Sequence, residues 1–160
     1  GSKRLGGKLT FLNATLKTAI TYKAPFTRIE WKEGEEERSW EGELLSCFIA
    51  NGLYCGGGMS VAPKGSMADG RLDLTILKKM GIGEQIYEMR HLYDGEIERV
   101  RSAICSSMQQ LRATSRPSTQ IRIDLDGELS GRLPATFSIL PGLLRVRGGW
   151  IHDEKQEDSH

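Results

Sequence analysis

Residues 119–147 read TQIRIDLDGELSGRLPATFSILPGLLRVR. Ile121, Ile123 and Leu125 alternate with Arg122 and Asp124, the period-two pattern of a half-buried strand, and Asp126-Gly127 is a tight-turn dipeptide that closes a hairpin. Beyond it, ATFSIL and LLRVR flank Pro141-Gly142 and read as a second strand pair. Strands that follow one another with no helix between them point to an antiparallel sheet, not to a βαβ fold.

Working upstream, Thr119–Leu125 and Met108–Thr114 are expected to be extended around the turn at Pro117. Ile82, Ile86, Met89 and Tyr93 step by three or four and predict a short helix, which Ile97, Val100 and Ile104 extend towards Cys105. Before it, Arg71–Leu77 (RLDLTIL) places Leu72, Leu74 and Ile76 on one face of a strand and Asp73 and Thr75 on the other. FTRIEW (residues 26–31) and the apolar run Leu44–Ala50 form a hairpin across a charged turn whose Glu35-Glu36-Glu37 is read as solvated surface. Leu5, Leu9, Leu12, Leu16, Ala19 and Ile20 mark a helix that ends before Pro25. The expected fold is α+β and mainly β, an antiparallel β-sandwich-like domain with about two flanking helices. Residues 3–150 form one domain, and 151–160 read as a disordered tail.

Composition narrows the function. The 160 residues carry 22 basic and 21 acidic side chains, a net charge of +1, which removes the electrostatic argument for nucleic-acid binding. No apolar run approaches the roughly 20 residues of a membrane-spanning helix. Cys47, Cys55 and Cys105 show no CxxC spacing and fit a reducing compartment, and only 3 histidines leave a zinc site almost without ligands. Gly1-Ser2 reads as an expression remnant, so the chain is expected to be cut from a longer one.

Glycine is in surplus, 19 residues, well above the usual share of about 7 %. It concentrates in the constrained loop 51–70, NGLYCGGGMSVAPKGSMADG, with Gly56-Gly57-Gly58 at its centre. Adjacent glycines let a backbone approach a phosphate closely, but neither GxGxxG nor GxxxxGK[ST] is present and no helix follows to receive an anion. A tight structural bend is the simpler reading from physics alone. Asp69-Gly70-Arg71-Leu72-Asp73 sets two carboxylates around a turn, a donor set for a hard cation or merely an Asp-Gly turn. The tripeptide DGE occurs at 94–96, where it ends a helix, and at 126–128, inside a hairpin where a strained turn can hold a carboxylate towards a cleft.

In this order the pieces resemble the C-terminal domain of the diacylglycerol-kinase-like lipid kinases, the family of the bacterial lipid kinases and the sphingosine and ceramide kinases. The carrying residues are Ala50-Asn51-Gly52, Tyr54, Gly56-Gly57-Gly58-Met59, Ala62-Pro63, Asp69-Gly70, Leu72-Asp73, Asp126-Gly127-Glu128, Pro134, Pro141 and Leu144-Arg145-Val146. The resemblance covers residues 5–147, and it implies a two-domain enzyme whose N-terminal domain binds ATP through a GGDGT loop that this chain lacks. The family's C-terminal domain usually opens with a hairpin that lies upstream of Gly1, so the resemblance also implies an exposed sheet edge.

By the same resemblance Glu128 is the proton acceptor for a lipid hydroxyl attacking ATP, with Asp126 and Gly127 holding it. Asp69 matches a Mg²⁺ ligand, completed by the carbonyls of Ser66 and Arg71; this chain has Gly65 where Ala is usual and Ala68 where a polar residue is frequent. Asn51, Gly52, Tyr54, Gly56, Gly57 and Gly58 line the substrate cleft. The implied cofactors are ATP and Mg²⁺, and the implied partners are a lipid at a membrane surface and the protein's own nucleotide-binding domain. A cytoplasmic protein, peripherally bound and open to oligomerisation, follows. Diacylglycerol, phosphatidylglycerol and sphingoid bases all suit as substrates. The competing reading is a non-enzymatic β-sandwich binding or assembly module, and a third is a small metal-binding regulatory module centred on Asp69.

Overall fold

The computed structural model describes residues 22–144. The helix expected over 5–24 and the tail 151–160 lie outside the described residues or almost so, as does all but the start of the LLRVR strand. Ten strands are described: β1 Phe26–Glu33, β2 Glu36–Ala50, β3 Tyr54–Cys55, β4 Met59–Ser60, β5 Leu72–Lys78, β6 Ala103–Met108, β7 Gln110–Ser115, β8 Arg122–Leu125, β9 Glu128–Arg132 and β10 Ala135–Ser138. One short helix, α1 Ile82–Glu88, stands among them. Six strands pair in the order β10-β7-β1-β2-β5-β6, antiparallel throughout, while β3-β4 and β8-β9 are separate two-stranded ribbons.

The long strand β2 belongs to both halves of this sheet. Its first part, through Glu43, pairs with β1, and from Leu44 onward it pairs with β5 after a register shift between Leu44 and Ser46. A bulge of this kind bends a strand. The bend carries β6 back over β1, three places away in the strand order, where the Trp31 indole N–H donates to Ser106 Oγ at 2.8 Å. Between the two layers lie Ile29 and Trp31 of β1, Leu44 of β2, Leu74 and Ile76 of β5, Met108 of β6, and Leu111 and Ala113 of β7. The alternation read from Arg71–Leu77 holds, with Leu74 and Ile76 in this core.

The opposite face of β5 is covered as well. Leu77 packs with Ile97 and Val100 in a second cluster that gathers Leu45, Phe48, Met80, Leu92 and Ala103. Beside it the buried Thr75 hydroxyl donates to the Val61 carbonyl at 2.7 Å and pins the glycine-rich loop to the sheet.

Three expectations change. The helix does not extend towards Cys105: after α1 the chain makes 3₁₀ turns at Met89–Leu92 and Ile97–Arg99 and then enters β6. Ile97 and Val100 were spaced like a helix face because both feed the second core, whereas Ile104 sits on β6 and packs against the first. α1 itself buries no residue; Ile82, Ile86 and Tyr93 are exposed, and the side chain taken inside is His91, between Glu88 at 3.6 Å and Glu96 at 3.5 Å. Finally, the described partner of β10 is β7, and Leu143 and Leu144 are exposed outside any strand, so the Pro141-Gly142 turn does not join two described strands.

Replacing Thr75 by Val keeps the shape but leaves a buried carbonyl unpaired. It should destabilise the chain by about 1–3 kcal/mol in denaturant unfolding and raise amide exchange in residues 59–65 above that of the sheet. Cys47 packs against the main core, and burial pushes its thiol up to about 12, while Cys55 is exposed. At about pH 8 iodoacetamide should therefore modify Cys55 and spare Cys47 in the folded chain, as peptide mass spectrometry would read.

Candidate functional site

The glycine-rich loop proves to be a miniature hairpin. Tyr54 pairs with Ser60 and Cys55 with Met59, and the connecting Gly56-Gly57-Gly58 turns with φ of +69° at Gly57 and +88° at Gly58, a left-handed run that side chains resist. Nothing lies within 4 Å of a Cβ built on either. The glycines are thus needed for the turn and not for close packing. Its far strand leads to Ser60, Val61 and Ala62, all buried against β5, so the turn and the exposed Tyr54 stand out from an anchored base. Asn51 is exposed just before it, and Gly52 lies near Met67.

The loop's other end brings carboxylates together. Asp69 Oδ1 accepts the Arg71 N–H at 2.9 Å across a turn in which Gly70 has φ of +69° and lies against Pro141. Arg71 turns its guanidinium away to β6, donating to Ser107 Oγ and to the Ser107 carbonyl, both at 2.7 Å. Asp73, two residues on, is partly buried; burial and the neighbouring Asp69 charge raise its pKa, with Arg71 opposing. Its Oδ2 lies 3.1 Å from the Cβ position of Gly65, whose N–H donates to the Ala62 carbonyl at 2.9 Å. The glycine at 65 therefore makes the room that the Asp73 carboxylate occupies. Ser66 Oγ accepts the Ala68 N–H at 3.4 Å.

This donor set fits a hard cation. Two mutually repelling carboxylates next to a carbonyl-bearing loop supply oxygen ligands, and the nearest guanidinium is engaged elsewhere. Among the described residues no group of three His, Cys, Asp or Glu side chains converges, so backbone carbonyls such as those of Ser66 and Arg71 would have to complete the shell. The sequence paired Asp69 with Asp73 as a donor set around a turn, while the family resemblance implied Asp69 with Ser66 and Arg71; the structure sets Asp73 beside all three.

The DGE turn stands apart. Leu125 pairs with Glu128 and Asp124 with Leu129, leaving Asp126 and Gly127 as a two-residue loop. Both have positive φ, 52° and 92°, as a type I′ hairpin turn requires. Glu128 begins β9 exposed, and among the described residues neither it nor Asp126 forms an ion pair. Asp124 adds a contact that the motif did not announce: the Gly127 N–H donates to its Oδ1 at 2.8 Å. No hydrogen bond links this ribbon to the glycine-rich turn or to Asp69 among the described residues, so the structure brings together Gly65, Ser66, Asp69, Arg71 and Asp73 but not these with Glu128. The first DGE, at 94–96, is a turn in which a Cβ built on Gly95 would lie 3.7 Å from Ser60 Oγ.

Residues 1–148 match the family model described as the YegS C-terminal NAD kinase beta sandwich-like domain. Proteins of Staphylococcus aureus strains JH9 and Newman, both provisionally named lipid kinases, are 24 % identical over 149 residues, 91 % of this chain and 46 % of theirs. The chain thus spans about half the length of the curated relatives it matches. A Bacillus anthracis structure provisionally described as a diacylglycerol kinase superposes with a TM-score of 0.57 at 25 % identity, over 79 % of this chain and 43 % of that one. A second from the same organism gives a TM-score of 0.58 at 23 % identity and supports the fold. The match over almost its whole length makes this chain a member of the YegS C-terminal β-sandwich-like domain family.

Proposed function

We propose that this chain is the C-terminal, base-contributing part of an ATP-dependent lipid kinase. The observation that carries the reading is the left-handed Asp126-Gly127 turn, which presents the Glu128 carboxylate unpaired at the head of a short ribbon in a chain of this family. In the reaction the lipid hydroxyl oxygen attacks the γ-phosphorus of ATP, the bond from that phosphorus to the β,γ-bridging oxygen breaks, ADP departs, and Glu128 takes the hydroxyl proton. Little covalent work falls to the protein in phosphoryl transfer; alignment and charge neutralisation lower the barrier. The substrate is an alcohol-bearing lipid of the diacylglycerol type, in keeping with the names of the relatives.

Asn51, Gly52, Tyr54 and the exposed turn Gly56-Gly57-Gly58 would border the cleft in which the lipid headgroup meets ATP. The nucleotide is held mainly by an N-terminal domain of the parent protein carrying the GGDGT loop. Asp69 and Asp73, with the carbonyls of Ser66 and Arg71, would hold a Mg²⁺ that neutralises the two carboxylates and stiffens the base of the glycine-rich loop. No helix among the described residues is long and apolar enough to cross a membrane. The reading is of a cytoplasmic enzyme that meets its lipid by peripheral association, without nucleic-acid partners.

In the parent kinase, Glu128→Gln should lower kcat by about 10²–10⁴-fold with the thermal transition unchanged, measured as ATP-dependent phosphorylation of diacylglycerol in mixed micelles. A variant with wild-type turnover would remove Glu128 from the role of proton acceptor. The cation is tested separately. A carboxyl with a raised folded pKa favours the protonated folded state, so its contribution is fully present below the ordinary carboxylate pKa and is lost as pH rises through the raised value. Near neutral pH, Asp73 is therefore a site where Mg²⁺ relieves a repulsion. At pH 7, about 10 mM MgCl₂ should raise the melting temperature of the wild type and leave that of Asp69→Asn unmoved, and the gain should shrink as pH falls towards 4.

A further inference from the structure

The turn that presents Glu128 is strained and locally supported. Asp126, an L-residue, sits at φ 52°, a region that all residues but glycine enter at a cost, and the ribbon that carries it is exposed except at the half-buried Ile123. Such a turn needs a brace. Asp124 supplies one: its Oδ1 accepts the Gly127 N–H at 2.8 Å.

Register places that brace on the far side from the carboxylate it serves. Asp124 is opposite Leu129 and Leu125 opposite Glu128, so the pleat sets Asp124 with Leu129 on one face and Leu125 with Glu128 on the other. A register shift between Ile123 and Asp124, with Gly131 at φ 152°, separates this tip from the rest of the ribbon. Bulges re-aim the side chains beyond them, and this one decides which face the last two pairs present. The remaining ties of the ribbon lie behind it, Leu133 N–H to the Ile121 carbonyl at 3.0 Å and Arg132 to Gln120.

We propose that Asp124 is a positioning residue for Glu128: it fixes the Gly127 peptide from behind the turn and thereby the direction in which Glu128 leaves the backbone. The proposal rests on the reading of Glu128 as the proton acceptor. It is separate from the Asp126-Gly127 pair, which supplies the turn's shape, because Asp124 acts through one main-chain hydrogen bond and leaves the Glu128 face free for a substrate hydroxyl. Loss of the bond lets the tip sample other turn geometries, so fewer encounters find the carboxylate aligned.

The test uses the intact kinase that contains this chain and compares D124A, D124N, E128Q and D124A/E128Q by kcat, KM and thermal unfolding. D124A should lower kcat about 10–30-fold with KM for ATP and lipid within about twofold, because alignment and not binding is lost. D124N retains a side-chain oxygen acceptor and should stay within about threefold of wild type. On the E128Q background D124A should have no further effect, since the group it positions is gone. If E128Q is inactive but D124A turns over like wild type, or D124A costs as much with Gln at 128 as with Glu, the positioning role is wrong while the base reading stands. D124N as slow as D124A would equally overturn it, the loss then being one of charge. An active E128Q would bring down the base reading and this inference with it. A melting temperature lowered in D124A but not in D124N, without the kcat pattern above, assigns Asp124 a structural role only and also overturns the proposal.

Discussion

Strand β5 is packed on both faces, and much of the molecule follows from having to cover the second one. Leu74 and Ile76 fill the space between the sheet layers, while Thr75 and Leu77, equally buried, look outward. A hydroxyl can be taken out of water only with a partner. The Val61 carbonyl provides it at 2.7 Å, and in doing so draws Ser60–Ala62 across the sheet. The rest of loop 51–70 is constrained at both ends by that crossing: the glycine turn projects on one side, and Gly65 to Asp69 returns to the start of β5 on the other. Residues 89–100 complete the cover through Leu92, Ile97 and Val100.

The same crossing creates the electrostatic problem at Asp73. Alternation puts Asp73 on the face of β5 that the loop covers, so part of its hydration is lost, and the chain's own turn brings Asp69 close. Arg71 lies between the two in sequence and opposes the shift only in part, its guanidinium being hydrogen-bonded to Ser107 on β6. A half-buried carboxylate beside a second one is a state that a divalent cation or a proton relieves. The acidic run Glu35-Glu36-Glu37 differs from this corner in having cations at hand: Lys32 pairs with Glu37 across the hairpin and Arg38 with Glu36 along its own strand.

Short-range pattern was readable where one periodicity acted alone. β1, β5 and the hairpin at Asp126-Gly127 emerge directly from alternation and turn chemistry, and the antiparallel architecture from their succession. It failed where residues three and four apart served two different cores. Ile97 and Val100 belong to one cluster and Ile104 to another, a division that depends on the bend of β2 and has no local signal. α1 was visible as a helix but not as an exposed one, since amphipathic spacing does not say whether a partner surface exists. At the site, motif residues were legible and the contacts beneath them were not: the hydrogen bond from the Gly127 N–H to Asp124 depends on the shape of the turn, and the tie of Arg71 to Ser107 and the loss of hydration at Asp73 depend on how distant segments pack.

The two carboxylate centres illustrate opposite ways of preparing an acidic group. Asp73 is altered by its surroundings, held against a covered face where ionisation is disfavoured and a cation is welcome. Glu128 is carried on a largely exposed ribbon whose tip is shaped by two left-handed residues and a side-chain acceptor. In the proposed phosphoryl transfer, a proton acceptor at Glu128 would be asked chiefly to be in line, since the charge to be neutralised lies on the phosphates. A ribbon that sets direction through its own backbone can do this without burying its carboxylate, which leaves the surface around Glu128 and Leu125 to be shaped by what approaches it. The sandwich, in turn, has only to hold the ribbon's base, through the Leu133 to Ile121 bond and the pairing of β10 with β7 that follows it.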